Sequence, residues 1–305
     1  SLEAATMTDA PEQNPFATPL IPIKLSLDDT IQFNCHKGIA CFNKCCQQID
    51  LTLAPYDIVR LKNRLGLSTR DFLAQYTVPF GMDGQEMPGI KMRTKDESTV
   101  CPLLTEAGCS VYEDRPTACR YYALGQMAMR KMGSPTDEEM YFIVKEDHCL
   151  GHNEPRTLTV GEYRKEQGVE DYDEINRGWR QVILKKRSSG PTVGKPSTRS
   201  YQLFFMASYD MDTFLEFILS EGFNEVYDLD AATLELLKTD EAERVKFGAR
   251  FLKQVLFGEL TIPVRKDAIE KRVEKRRGEI ATRQSGDKAG DFDARYDGPA
   301  EDGNI

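Results

Sequence analysis

Four of the eight cysteines in this 305-residue chain fall within twelve residues, in the stretch FNCHKGIACFNKCC at 33–46, and two of them are adjacent. The full set is Cys35, Cys41, Cys45, Cys46, Cys101, Cys109, Cys119 and Cys149. Its spacing is C-x5-C-x3-C-C, then, after 54 residues, C-x7-C-x9-C-x29-C. None of the last 156 residues is a cysteine. Random scatter would rarely empty half a chain, so the thiols mark one functional region. Three readings compete for it: disulfide staples, unrelated buried thiols, and ligands for a metal ion or an iron–sulfur cluster.

Disulfide-dense scaffolds are usually small and secreted. A chain of this length with 40% hydrophobic residues can bury a core without cross-links. Residues 1–6 read as a cloning remnant ahead of Met7, and SLEAATMTDAPEQNPF has no basic region followed by an apolar run. No stretch approaches eighteen apolar residues, so no membrane span is expected. These signs place the chain in the cytoplasm, where clustered cysteines more often bind metal or do redox chemistry. The net charge of −9 argues against nucleic-acid binding, which needs a positive surface to neutralise phosphates. The one basic run, RKDAIEKRVEKRR at 265–277, is interleaved with acids at helical spacing and reads as a solvated helix face.

Thiolates are soft ligands suited to zinc, iron and iron–sulfur clusters, and a site needs about four of them converging. Tight turns and strand ends make donors converge. Gly38 lies between Cys35 and Cys41, Gly108 precedes Cys109, and Cys119 follows Pro116 by one helical turn. That position near a helix start is expected to favour the thiolate. In extended backbone Cys45 and Cys46 would point to opposite faces and would not share an ion. Eight thiols could supply two four-thiolate sites, or one cluster with thiols to spare, and the spacing does not choose. It matches neither C-x2-C zinc knuckles nor the C-x2-C-x2-C ferredoxin run. All three histidines flank cysteines: His36 by Cys35, and His148 and His152 around Cys149. They could add imidazole ligands or act as surface and outer-shell residues. Arg115 and Arg120 bracket Pro116 and Cys119; they either offset thiolate charge or pair with Glu113 and Asp114.

The expected fold class is α+β: a small strand- and turn-rich cysteine-cluster domain with short helices, packed with a mostly helical C-terminal part. An extended N-terminal segment (1–30) leads into the cysteine-cluster domain (31–155). Helices packing on it follow at 156–187, then a Gly/Pro/Ser-rich linker at 188–200, a helical region at 201–284 and a disordered tail at 285–305. Within these, QQIDLTL reads as a short strand and PYDIVRLKNRL as a helix ended by Gly66. Ser68 with Asp71, and Thr159 with Glu162, read as helix caps. GQMAMRKM and EMYFIVKE read as a hairpin. Phe204, Phe205, Phe214 and Phe217 read as core.

The segment 33–122 resembles the YkgJ-like cysteine-cluster family, the CxxCxxCC family of zinc- or iron-chelating proteins. The resemblance is carried by FNC, the CC pair, LAPYDIVRLKNRLGLS and CPLL…GCSVYEDRPTACRYY. It implies that Cys35, Cys41, Cys45, Cys46, Cys101, Cys109 and Cys119 are the family's cysteines, with Cys149 an eighth. The first gaps, five and three rather than two and two, also look like the cluster of flagellin lysine methylases. Those enzymes combine an iron–sulfur centre with S-adenosylmethionine. The chain carries no Gly-rich nucleotide loop, no G-x-S-x-G and no H-E-x-x-H, so no catalytic residue is named. The leading reading is a metal-binding protein that holds iron, as an iron–sulfur cluster, or zinc through all eight cysteines, with a redox, sensing or metal-handling role. A protein-lysine methylase with an iron–sulfur centre and a structural zinc module for a protein partner are the alternatives.

Overall fold

The computed structural model describes residues 20–82, 87–130, 137–188, 197–268 and scattered positions from 270 to 278. β1 (Leu20–Leu25) and β2 (Thr30–Gln32) are joined by a turn in which Asp29 accepts from the Ser26 amide and hydroxyl. After the cysteine loop comes α1 (Pro55–Leu65). Pro55 supplies a preset φ where no amide is needed, and Asp57 reaches back to accept the Ala54 amide at 2.8 Å. Ile58 and Leu61 share a buried face, Leu65 is half-buried beside them, and Gly66 ends the helix in the left-handed conformation at φ 67°.

Ser68 caps α2 (Thr69–Tyr76) by accepting the Asp71 amide. β3 (Thr77–Met82) and β4 (Met87–Met92) pair antiparallel from Thr77↔Met92 to Met82↔Met87. The QQIDLTL stretch runs along β4, with Leu53 donating to Ile90 and Met92 to Leu51, but it forms only the single bridge Thr52↔Lys91 rather than a strand. β5 (Leu104–Thr105) and β6 (Gly108–Cys109) make a minimal hairpin whose turn uses Gly108 at φ +113°. α3 (Thr117–Tyr121) follows Pro116. β7 (Leu124–Arg130) and β8 (Asp137–Val144) pair as anticipated, the turn at 131–136 lying outside the described residues, and β1 adds to the far edge of β8. β9 (Thr157–Thr159) pairs with β2 and leads into α4 (Val160–Gln167), where Thr159 and Glu162 complete a capping box.

The long helix α5 (Glu170–Ser188) buries Tyr172, Ile175, Trp179 and Val182. Of the linker region, 189–196 lies outside the described residues, as do 1–6 and the tail at 285–305. Beyond it come α6 (Thr198–Tyr209), α7 (Met211–Leu219), α8 (Glu221–Val226), α9 (Ala231–Thr239) and α10 (Glu241–Phe257). The architecture is α+β, with short strands in small sheets and a helical C-terminal part. Phe204 and Phe214 are fully buried, and Phe205 and Phe217 are half-buried against them. In the basic run, Lys271 pairs with Asp267 one turn away at 3.2 Å. Among the described residues no helix is long and apolar enough to cross a membrane.

Two hydrophobic cores result. The larger joins α1, α2, β3 and β4 to the helices from α5 onward. The smaller gathers Leu25, Ile31, Phe33, Tyr121, Leu124, Tyr141, Leu158 and Tyr163 between β1, β2, β7–β9 and α4. Buried charges are matched. Asp173 receives Arg164 at 2.7 Å, Arg180 at 2.9 Å and the Tyr121 hydroxyl, as a carboxylate out of water requires. In the larger core α10 crosses α6 so closely that a Cβ on Gly248 would stand 2.3 Å from the Ala207 carbonyl oxygen. Gly248→Ala is therefore expected to destabilise the fold by about 1–3 kcal/mol, read by denaturant unfolding, with the thiol region unaffected in the folded fraction.

Candidate metal centre

The loop that carries Cys35, Cys41, Cys45 and Cys46 has no strand or α-helix of its own, so remote segments must hold it. At its start, the Phe33 amide donates to Arg156 and the Asn34 amide to Gly151, both at 3.0 Å. At its end, the Cys101 amide donates to the Cys46 carbonyl at 2.8 Å, and Ile49 donates to Thr99 at 2.9 Å. The first pair of bonds brings Cys149 to the loop and the second brings Cys101. Gly151 is essential to the first: a Cβ there would lie 2.5 Å from the Phe33 ring and 3.0 Å from the Asn34 carbonyl oxygen. Between these anchors, Asn43 takes the left-handed conformation at φ 67° and turns the chain into a 3-10 turn at Lys44–Cys46. Cys45 and Cys46 are thus not extended neighbours on opposite faces. Their sulfurs stand 4.0 Å apart, with one thiol able to donate to the other.

All eight cysteines are free. Cys41 and Cys101 are buried, Cys46, Cys109 and Cys149 half-buried, and Cys35, Cys45 and Cys119 reach the surface. They form one electrostatic neighbourhood. Burial raises the Cys35 thiol to about 11, with Cys45, Cys41 and Cys149 adding to the rise and Arg115 opposing it. Burial likewise raises Cys101 and Cys109. Cys119 rises too, through desolvation, and Cys101, Cys45 and Cys109 add to the effect. The expectation that a helix start would favour its thiolate is overturned, because α3 has only five residues and desolvation outweighs its end. Cys45 is the exception. A hydrogen bond from the Cys46 thiol holds it down at about 7, so Cys45 ionises first and Cys46 keeps its proton.

Among the described residues no three Cys, His, Asp or Glu side chains converge as a ready metal site. The thiols lie near one another, Cys45 and Cys46 in contact. Their chemistry nonetheless fits a thiophilic metal: soft donors, unlinked, grouped, and partly accessible from solvent. The histidines are less available. His36 accepts the Gly38 amide on Nδ1 and meets Glu154 through Nε2 at 3.3 Å. His152 directs Nε2 to the Val144 carbonyl at 2.9 Å and packs on Phe33. His148 Nε2 lies 3.5 Å from Glu146 and is buried without a hydrogen bond.

The two arginines divide their roles. Arg120, 7% exposed, spends its guanidinium on the carbonyls of Arg115, Gln167 and Glu113 and stacks on Tyr172. It braces α3 rather than neutralising thiolates. Arg115 donates to the Tyr112 carbonyl and to Gln167, yet its charge still opposes the rise of both Cys35 and Cys109. Neither pairs with Asp114, which is held instead by Arg60 (Nε at 2.8 Å) and Arg64.

Besides Gly151, three contributors carry no site signal in the sequence analysis. Asp57, 1% exposed, accepts the Thr117 amide at 2.8 Å and hydroxyl at 2.6 Å, pinning the start of α3 and so the place of Cys119. Tyr122 and Glu146 stand beside Cys149; burial, then the Glu146 carboxylate and the Cys149 thiol, push the Tyr122 phenol up. Their only signal was proximity in sequence, Tyr122 three residues after Cys119 and Glu146 three before Cys149.

Residues 34–150, which contain every cysteine, match the CxxCxxCC family, described as a putative zinc- or iron-chelating domain. No curated protein and no solved structure matches the chain.

Two outcomes follow from the geometry. Gly151→Ala is expected to push Cys149 away from Cys35 and Cys41, lowering both the melting temperature and the metal retained. Gly222→Ala, with nothing within 4 Å of the added Cβ, should change neither. For the metal-free protein, Cys35 at about 11 lies above its ordinary value of 9.0. The folded state therefore holds a proton that the unfolded state releases. This contribution to stability is fully present below pH 9 and is lost as pH rises through 11. Denaturant unfolding of metal-free wild type and Cys35→Ser across that range should show the wild type losing stability faster.

Proposed function

We propose that this CxxCxxCC domain holds iron, as an iron–sulfur cluster, through its clustered cysteines, in a redox, sensing or metal-handling role. The observation that carries the reading is that eight free thiols from segments far apart in the chain are gathered as neighbours within the matched zinc- or iron-chelating domain. A zinc ion binds each sulfur at about 2.3 Å and so requires its four sulfurs to meet around one point. A cluster of several irons with bridging sulfide takes cysteines set farther apart, and cysteines drawn from four separate stretches of chain can supply that spacing. When bound, such a cluster supplies one-electron chemistry or a labile iron signal.

The chain's own residues supply the rest. The cysteine thiols surrender protons to bind, beginning with Cys45, the thiol that ionises first. Arg115 offsets part of the negative charge that results. Leu103, Val111 and buried residues of α1 belong to the core that buries Cys101 and against which Cys109 packs half-buried. Asp57 and Arg120 hold the helix that presents Cys119. Because binding displaces protons, affinity should rise with pH over the neutral range.

Anaerobically purified protein should absorb in the visible region and contain iron with acid-labile sulfide. A colourless protein with stoichiometric zinc would overturn the iron assignment, and one without either metal would overturn the reading itself. Cys→Ser at Cys101, Cys109 or Cys119 should lower the metal content and the melting temperature together, since site assembly and folding are coupled. Retained metal and unchanged melting in all three variants would remove these cysteines as ligands.

A further inference from the structure

The cysteines that touch a hydrophobic core divide between the two. Cys46, Cys101 and Cys109 pack on the larger core, and Cys149 packs on the smaller. The backbone follows the same division. On one side the Cys101 amide donates to Cys46, the Leu104 amide returns to Cys101, and Leu104 pairs with Cys109 across the β5–β6 hairpin. On the other side the Leu150 amide donates to the Cys41 sulfur at 3.3 Å, tying the residue after Cys149 to the first half of the loop. The thiols facing one another divide likewise. Cys101, Cys45 and Cys109 act electrostatically on Cys119, Cys45, Cys119 and Cys101 act on Cys46, and Cys45 also acts on Cys109. Cys35 is faced by Cys45, Cys41 and Cys149, with Cys45 the strongest of the three. Cys45 is thus the one thiol that borders both groups.

We propose that the eight thiols form two adjacent four-thiolate centres, Cys46, Cys101, Cys109 and Cys119 in one and Cys35, Cys41, Cys45 and Cys149 in the other. The vicinal pair gives one sulfur to each. This rests on the reading above that the thiols hold metal and adds how many centres there are and which sulfurs build them. The 3-10 turn makes the division possible, because it sets the two sulfurs 4.0 Å apart at the border instead of committing both to one side.

The test uses the full chain, purified anaerobically, with alkylation of accessible thiols mapped by mass spectrometry beside elemental analysis. Wild type is expected to protect all eight cysteines. Cys35→Ser/Cys41→Ser/Cys149→Ser should keep about half the metal, protect Cys46, Cys101, Cys109 and Cys119, and leave Cys45 reactive. Cys101→Ser/Cys109→Ser/Cys119→Ser should keep the other half and leave Cys46 reactive. Loss of all metal from a triple variant that remains folded by circular dichroism would overturn the division. Should a triple variant fail to fold, stepwise chelation of wild type decides: two groups of four thiols becoming reactive in turn supports two centres, and all eight together overturns them. Wild type that protects only four cysteines sinks the second centre and leaves metal binding intact. Wild type with no metal and eight reactive thiols sinks the metal reading itself.

Discussion

The cysteine loop is held at its two ends by backbone hydrogen bonds to segments far along the chain, and the rest of the thiol region depends on them. Asn34 to Gly151 and Cys101 to Cys46 are ordinary bonds, each contributing about 1 kcal/mol. Their importance is positional. The loop between them has no ladder to fix it, so these contacts decide which sulfurs become neighbours. Each rests on a different core: one on Phe33 and the small sheets, the other on Leu103, Val111 and the α1 face.

The buried polar groups around the region serve the same end. Asp57 in α1, Arg115 in the turn before α3 and Arg120 in α3 surround an element with little intrinsic stability, since α3 is five residues long. A helix that short does not hold itself in water. It is held by Asp57 at its start and by the Arg120 guanidinium, which ties it to the carbonyl of Gln167 in α4. The arginine therefore matters through where it puts Cys119, and positive charge reaches the thiols from Arg115, at Cys35 and Cys109, and from Lys95, at Cys101.

Much of this was legible in the sequence wherever the cause is local. Ser68 with Asp71, Thr159 with Glu162, Pro55 and Gly66 mark their helix ends because capping needs only residues three or four apart. The cysteines announced one region by their distribution alone. The vicinal pair was misread because an extended backbone was assumed, whereas Asn43, able to adopt the left-handed conformation, makes a tight turn. The Cys119 thiol was misread because desolvation by distant neighbours outweighs a helix end. Gly151 and Asp57 were not legible as site residues, since each acts on a partner far along the chain that only tertiary structure brings near.

The bond from the Leu150 amide to the Cys41 sulfur spans 109 residues of sequence. On a ribosome adding about 5–20 residues per second, that separation is about 5–20 s of synthesis. For that time the segment that brings Cys149 to the loop has not yet been made. The hydrogen bond from Cys46 that lowers the Cys45 thiol belongs to the folded turn. Order of synthesis thus separates the making of the four-thiol loop from the making of residues 149–156, whose bonds to Phe33 and Asn34 fix its start.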